Sequence, residues 1–338
     1  MAKIKIGILG TSEIAFRRFL PALKKAENWE YAGVASRELA KTEKFVHEFG
    51  GKGYGSYEEL LADGEIDAVY LPLPPALHFE WARKALENGK HVFLEKPSTI
   101  SYEQTQELVR LAKQKNLALR ENYMFTEHPQ LRAIQAMIAE EKIGELRLIR
   151  IAFGFPRRAG KDFRYEKALG GGALLDCGGY TVKLASILLG EDTKCQYVSL
   201  NQDTLSDVDL YGSAVLENSK RQVAQISFGM DNVYKCELEV WGQTGSIKSP
   251  RVFTAGSELE VALEIEEKGE KKSLRIPAAD QFYGSILRFE GCLANNQRRE
   301  REYQELLRQA ELVEAVWLQG QEREENENEN NRTGISGC

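Results

Sequence analysis

Two short stretches of the chain carry the residue types that stabilise and protonate an oxygen anion. One is Glu95-Lys96-Pro97; the other is GGGALLDCGGY at 170–180, which holds Asp176 and Tyr180. Lys96 follows an apolar run, His91-Val92-Phe93-Leu94, of the length of a buried parallel strand. A lysine leaving such a strand at its carboxyl end faces the ligand crevice of an open α/β sheet. The alternative is an ordinary charged exit into solvent. Asp176 and Tyr180 lie four apart with Lys183 at the next turn, so one helical face carries all three. The three glycines before them permit a close backbone approach at the helix entrance. On a helix otherwise rich in Leu, Ala, Val and Ile, this stripe is either a site or a solvated face.

The elements that must hold these motifs follow from periodicity. Lys3–Leu9, with apolar Ile4, Ile6 and Ile8, reads as a strand that runs through a small-residue turn into a helix ending near Lys25. Strands at Tyr31–Ala35, Ala68–Leu71, His91–Leu94 and Leu117–Arg120 alternate with helices at Leu39–Phe49, Tyr57–Leu61, Leu77–Asn88 and Tyr102–Lys115. That alternation implies parallel pairing with right-handed crossovers, hence a doubly wound Rossmann-type sheet. After about Asn122 the pattern changes. A helix at Pro129–Glu140, a strand at Leu146–Phe155 and a long helix over Gly172–Leu189 lead into consecutive strands. These are Tyr197–Leu200, Tyr211–Leu216, Gln222–Phe228, Cys236–Trp241, Leu259–Glu266 and Ser273–Ile276, followed by helices at Gln281–Ala294 and Tyr303–Gln319. The expected class is therefore α/β, with a C-terminal α+β domain built on a mostly antiparallel, open-faced sheet. The expected domains are 1–121 for dinucleotide binding, 122–320 for substrate binding and oligomerisation, and a polar flexible tail at 321–338.

A dinucleotide turn places G-x-G-x-x-G/A between the first strand and helix. Here the register is Gly10-x-Ser12-x-x-Ala15, with Thr11, Glu13 and Ile14 completing the turn. Serine at the middle position is small, and its hydroxyl is a phosphate donor; a turn serving only packing is the alternative. An NAD site carries an acid about 20 residues on for the ribose 2′-hydroxyl, whereas an NADP site needs a cation. The second strand ends Val34-Ala35-Ser36-Arg37, with no acid at its tip. Arg37 offers a planar fork of donors, Ser36 lies beside it, and Lys41 adds charge one turn later, which favours NADP(H) over NAD(H). Ser36 also suits a helix cap and Arg37 a solvated position, and both roles can hold together. Leu71, Pro72 and Leu73 are expected to line the cofactor crevice, and His78 to stand on the cofactor side or start a helix.

With 338 residues the chain is long for one core, and a formal charge of −6 supplies no basic field for nucleic acid or an anionic membrane. No apolar run approaches the roughly 20 residues of a spanning helix, and the start lacks a secretory pattern, so a cytoplasmic protein is expected. The five cysteines form no CxxC pair or ligand-like cluster, which argues against structural zinc and disulfides. They are expected as reduced, mostly buried thiols.

Taken together, residues 1–190 resemble the Gfo/Idh/MocA oxidoreductase family through GILGTSEIA, VASR, DAVYLPLP, GKHVFLEKP and GGGALLDCGGY, and the resemblance extends more loosely to about Gln319. It implies that Lys96 is the catalytic lysine and Asp176 the acid of the helix motif. Many members have histidine at the last motif position; Tyr180 instead resembles glucose-fructose oxidoreductase, dimeric dihydrodiol dehydrogenases and NDP-sugar ketoreductases. The stretches GILGTSEIAFRRFLPAL, YLPLPPALHFEW and ENYMFTEHPQ are most similar to the sugar-nucleotide ketoreductases. On that basis Tyr180 is the general acid, and Lys96, brought to it from the other domain, favours its phenolate and donates to the substrate oxygen. Asp176 orients Lys96 or binds a sugar hydroxyl, and Glu95 holds Lys96 or meets the nicotinamide ribose. Arg164, Tyr165 and Tyr283 are further substrate candidates; Arg157, Arg158 and Lys161 serve a nucleotide diphosphate or are surface charge. The expected activity is NADP(H)-dependent hydride transfer to or from a sugar or sugar-nucleotide carbonyl, by a dimer or tetramer. A free-sugar (xylose-like) or trans-dihydrodiol dehydrogenase is the second reading, and a non-catalytic dinucleotide-binding regulator the third.

Overall fold

The computed structural model describes residues 2–203 and 206–333, with side chains to residue 323. Its contacts divide the chain into two units. The first comprises Met1–His128, Gly256–Glu258 and Ala278–Ala310; the second comprises Pro129–Ala255, Leu259–Pro277 and Glu311–Cys338.

In the first unit, β1 (Ile4–Leu9), β2 (Trp29–Ala35), β3 (Lys52–Tyr54), β4 (Ala68–Leu71), β5 (His91–Glu95) and β6 (Leu119–Asn122) form one parallel sheet, ordered β3-β2-β1-β4-β5-β6. The strand order reverses between β1 and β4, and ligand crevices of such sheets open at that switch point. The helices α1 (Leu20–Leu23), α2 (Glu43–Phe49), α3 (Tyr57–Ala62), α4 (His78–Glu87) and α5 (Tyr102–Lys115) alternate with the strands, and α6 (Pro129–Ala139) opens the second unit. Both faces of the sheet are buried. Phe93 belongs to a core with Phe19, Tyr70 and Trp29, while Val92 and Leu94 belong to another with Leu9, Val69 and Leu108. The first core is closed by α8 (Gln281–Ala294), whose Phe289 stacks on Phe93 with ring centroids 4.9 Å apart and on Trp29 at 5.8 Å.

The second unit contains an eight-stranded sheet. Its strands are β7 (Leu146–Gly154), β8 (Lys194–Gln202), β9 (Asp209–Glu217), β10 (Val223–Gly229), β11 (Lys235–Gly242), β12 (Gly245–Ser249), β13 (Val261–Glu267) and β14 (Glu270–Ile276), ordered β14-β13-β12-β11-β7-β10-β9-β8. All neighbours are antiparallel except β7 with β10. The helix α7 (Gly179–Leu189) packs on β7 and β10. Burial alternates along β11 and β13, as for a sheet with one covered face.

The structure departs from the sequence expectations in four respects. The segment 278–310 belongs with the first unit rather than the second, because Phe282, Ile286 and Phe289 fill the core beside β5. Strands β3 and β12 do not show in the pattern: one is three residues beside glycines, and the other is the mainly polar GSIKS. Residues 321–333, expected as tail, continue the helix α9 (Asn296–Thr333), since Glu-rich sequence propagates a helix already nucleated; the rest of that tail lies outside the described residues. Lys167–Leu189 is long and apolar enough to cross a membrane by composition, but 72% of its most apolar stretch is buried, as in a core helix. The four described cysteines are free thiols, three of them buried.

Candidate active site

The first unit gathers its candidate residues at the carboxyl ends of β1, β4, β5 and β6. Gly10 has φ of +106°, which side chains disfavour, and a Cβ there would stand 2.7 Å from a Leu73 methyl. The turn after β1 and the segment after β4 thus meet at the switch point with room only for hydrogen. Ser12 Oγ accepts from the Ala15 N–H at 3.2 Å, so this serine caps the helix entrance. Glu13 is ion-paired with Arg17 and Lys44, which leaves its backbone as the part suited to a phosphate. At the tip of β2, buried Ser36 accepts from the Glu38 N–H at 3.2 Å. Arg37 is exposed, and no hydrogen bond or ion pair engages its guanidinium among the described residues. Lys41 is paired with Glu38 at 2.7 Å, so Arg37 is the stronger phosphate candidate of the two. The turn, the free fork at Arg37 and the lack of an acid at the β2 tip fit a dinucleotide with a 2′-phosphate.

Beside the turn, Leu71, Pro72 and Leu73 are buried at the end of β4. His78 is fully buried and clamped, Nδ1 lying 2.7 Å from the Pro97 carbonyl and Nε2 2.8 Å from the Leu73 carbonyl. Both ring nitrogens lie against backbone carbonyls, and the one that carries the proton donates to its carbonyl. His78 also begins a helix, so the helix-start reading holds and the residue sits between the loops after β4 and β5. Burial keeps its pKa below the ordinary imidazole value.

Glu95, at the end of β5, is buried. Its Oε1 accepts from Tyr70 Oη at 2.6 Å and from Asn122 Nδ2 at 2.7 Å. Burial raises its pKa, against the two hydrogen bonds and the charge and backbone N–H of Lys96. Lys96 itself is partly exposed at the sheet edge. Glu95 meets Lys96 through the lysine's charge and backbone N–H, and its own burial speaks against contact with a ribose. Tyr283, expected near substrate, packs its ring against the core beneath the sheet, because it lies in the first turn of α8.

In the second unit, the stripe of Asp176, Tyr180 and Lys183 is not a solvated face: Tyr180 and Lys183 are buried. The helix is entered through a π turn, Leu174–Gly178, a wider winding that recurs at functional sites. Its start is fixed by Asp209, whose Oδ2 accepts from the Leu174 N–H at 2.6 Å. Gly172, with φ of +122°, leaves the space for that carboxylate: a Cβ would stand 2.3 Å from Asp209 Oδ1. Burial pushes the Asp209 pKa up to about 6. Tyr180 is held edge-on between Phe153, at 5.2 Å, and Phe253, at 5.5 Å.

Arg164 donates from Nε to Asp176 Oδ2 at 2.8 Å and from Nη1 to both oxygens of Asp162. It therefore fixes Asp176 rather than standing ready for a diphosphate. Tyr165 is likewise used internally, donating to the Met230 carbonyl and accepting from the Arg158 N–H, each at 3.0 Å. Of the cations nearby, Arg157 pairs with Asp231 at 3.3 Å. Sequence reasoning did not single out Tyr70, Asn122 or Asp209. Asn122 was within reach, since it ends a parallel strand beside β5; Asp209 was not, because it meets the helix start 35 residues away.

Two family models match the chain. The oxidoreductase family with an NAD-binding Rossmann fold, GFO_IDH_MocA, matches residues 4–123, and the GFO/IDH/MocA C-terminal domain matches residues 131–248. A dTDP-3,4-didehydro-2,6-dideoxy-alpha-D-glucose 3-reductase from Actinomadura kijaniata is 38% identical over 313 residues, covering 93% of this chain and 94% of its own. The crystal structure of a 3-ketoreductase from the same organism, in complex with NADP and TDP-benzene, superposes with a TM-score of 0.91 at 37% identity, covering 94% of this chain and 97% of that one. A D-xylose 1-dehydrogenase (NADP(+)) from Haloferax volcanii is 33% identical over 262 residues, or 76% of this chain and 80% of its own. The β2 tip of this chain, with Arg37 exposed and no acid beside the strand end, agrees with the NADP of the 3-ketoreductase complex.

Two outcomes follow from the geometry. Arg37→Ala should weaken NADPH binding by about tenfold or more while leaving NADH nearly unchanged, as read by fluorescence titration; equal losses for both would refute 2′-phosphate recognition by Arg37. Asp209 binds a proton in the folded state between its ordinary value, 3.8, and about 6, where the unfolded chain does not. Stability should therefore fall as pH rises through that window, by roughly 3 kcal/mol in total, and level off above it. In Asp209→Asn that step should vanish from urea-unfolding free energies measured against pH; identical pH slopes in both proteins would count against it.

Proposed function

The chain belongs to the Gfo/Idh/MocA oxidoreductase family, and from that premise we propose that its substrate is a dTDP-linked 3-keto sugar reduced at carbon 3. It is an NADP(H)-dependent oxidoreductase that transfers hydride between the nicotinamide and a carbonyl or alcohol of a sugar or sugar nucleotide. The finer reading is carried by one observation: the 38% identity to a dTDP-sugar 3-reductase that runs almost end to end in both chains. A second support is that further structures of the Actinomadura kijaniata ketoreductase carry a substituted lysine or a substituted tyrosine. The two are separated in sequence by the same interval as Lys96 and Tyr180.

The roles of the residues follow from the charge that the reaction creates. NADPH, when bound, supplies the hydride. Reduction leaves a negative oxygen on the sugar, and Lys96 is the cation that stabilises it. Tyr180 gives that oxygen its proton; the flanking Phe153 and Phe253 rings limit the directions in which its hydroxyl can point. Asp176, oriented by Arg164, binds a sugar hydroxyl.

The open face of the second unit's sheet carries exposed Tyr197, Tyr211 and Trp241, which the strand register places on one side. Such a face supports self-association as a dimer or tetramer. Sedimentation velocity should give a multiple of the 38.1 kDa chain mass, and Trp241→Glu should shift it toward the monomer; a wild-type monomer would rule this out.

Activity is decided by following NADPH oxidation with a dTDP-linked 3-keto sugar, and NADP⁺ reduction with D-xylose and a trans-dihydrodiol. Turnover on the keto sugar is expected to exceed that on the other two. Turnover on D-xylose or the diol alone would give the reading to a free-substrate dehydrogenase, and cofactor binding without turnover on any would give it to a regulator. Tyr180→Phe should lower kcat by about 10²–10⁴ with NADPH affinity kept. Unchanged kcat would remove Tyr180 from the mechanism.

A further inference from the structure

Behind Lys96, the first unit holds a chain of buried polar groups that the reaction as described does not use. Glu95 accepts from Asn122 Nδ2 at 2.7 Å, and Asn122 Oδ1 accepts from Ser285 Oγ at 2.7 Å. Ser285, on α8 and fully buried, lies 3.3 Å from Arg120 Nη2, which donates to it. Arg120 is 2% exposed and is held by Glu302 at 2.6 Å and Glu127 at 3.2 Å. Arg288 binds the same two acids and Glu305. Two guanidiniums among three carboxylates thus fasten the C-terminal helices to the end of β6, and one serine hydroxyl passes that order on toward Glu95.

The direction of each bond matters. Asn122 has one donating and one accepting end, and only the amino end suits a carboxylate. Its position is held from both sides, because Glu95 accepts from the amino end and Ser285 offers a hydroxyl proton to the carbonyl end. Without that proton the amide keeps its amino end on Glu95 but loses its second anchor, so the group that bonds Glu95 is free to shift. The charged and titratable groups that face Glu95 are Tyr70 from β4 and Lys96, the next residue in the chain, with Arg120 one link further along.

We propose that Ser285 is a positioning residue for Lys96: by donating to Asn122 it fixes the amide that holds Glu95, and Glu95 holds Lys96. The helix α8 then helps to position Lys96 and is not only a cover for the core. This rests on the catalytic reading of Lys96, so the test separates the two.

Ser285→Ala, Ser285→Thr and Lys96→Ala are compared in the full chain by two measurements. One is steady-state kinetics with NADPH and the dTDP-linked 3-keto sugar. The other, which needs no substrate, is the rate of Lys96 acetylation by acetic anhydride relative to exposed Lys115, read by peptide mass spectrometry. Ser285→Ala should lower kcat about tenfold or more with the KM for NADPH unchanged, and raise the relative acetylation of Lys96 about threefold. Ser285→Thr, which keeps the hydroxyl, should restore both. Unchanged kcat and acetylation in Ser285→Ala, whatever its thermal stability, would overturn the proposal. Should Lys96→Ala retain turnover while Ser285→Ala alters acetylation, the positioning stands and the catalytic reading of Lys96 falls.

Discussion

A carboxylate taken out of water must find donors or give up its charge, and the Glu95 carboxylate imposes that demand on the first unit. Its donors come from both flanking strands, Tyr70 from β4 and Asn122 from β6. The register delivers them, since Tyr70 pairs with Phe93, two positions before Glu95, and Asn122 pairs with Glu95 itself. All four therefore share one face of the sheet. The same face carries the aromatic wall of Phe19, stacked on Tyr70 at 3.8 Å, and Phe289 from α8. That wall shields the carboxylate from water, and the charge and backbone N–H of Lys96 act on it beside the two hydrogen bonds. Packing and chemistry at this sheet edge are one arrangement seen from two sides.

The second unit meets a parallel demand at the start of its long helix. The donors at a helix entrance lack partners in the helix itself, and here the Asp209 carboxylate takes one of them. It reaches the position only because Gly172 has no side chain. Arg164 then binds Asp176 one turn in, and the Gly172 N–H bonds the Arg164 carbonyl at 2.9 Å. The loop before the helix and the helix face are thus locked by the same arginine, so its charge is consumed in building the site. The cations of that loop illustrate a general point: a positive side chain beside a site is a ligand candidate only until its own carboxylates are found.

Much of the architecture is legible in the residue pattern. Apolar runs of strand length, ending at Gly10, Pro72 and Glu95, mark the sheet and its ligand edge, and the motifs at 95–97 and 170–180 mark the candidate chemistry. Pattern fails where an element is made by contact. The three-residue β3 has too few side chains to show a period, and β12 is polar because its neighbours complete its burial. The helix α8 looks the same in sequence whichever unit it covers. Only its packing against Phe93 and Trp29 assigns it to the first.

What the sequence determined by itself is local: which segments are strands or helices, where glycine is needed, and which residue types can move a proton. These depend on periodicity and side-chain chemistry within a few positions. What the tertiary structure decided is which polar groups are spent and on what. Arg164, Tyr165 and His78 read as ligand candidates, and each turns out to be satisfied internally. Conversely, Asp209 and Ser285 carry no signal along the chain, Asn122 only its place at a strand end, and the three take their meaning from partners 35, 163 and 27 residues away. A hydrogen bond is fixed by distance and direction in space, and sequence separation sets neither.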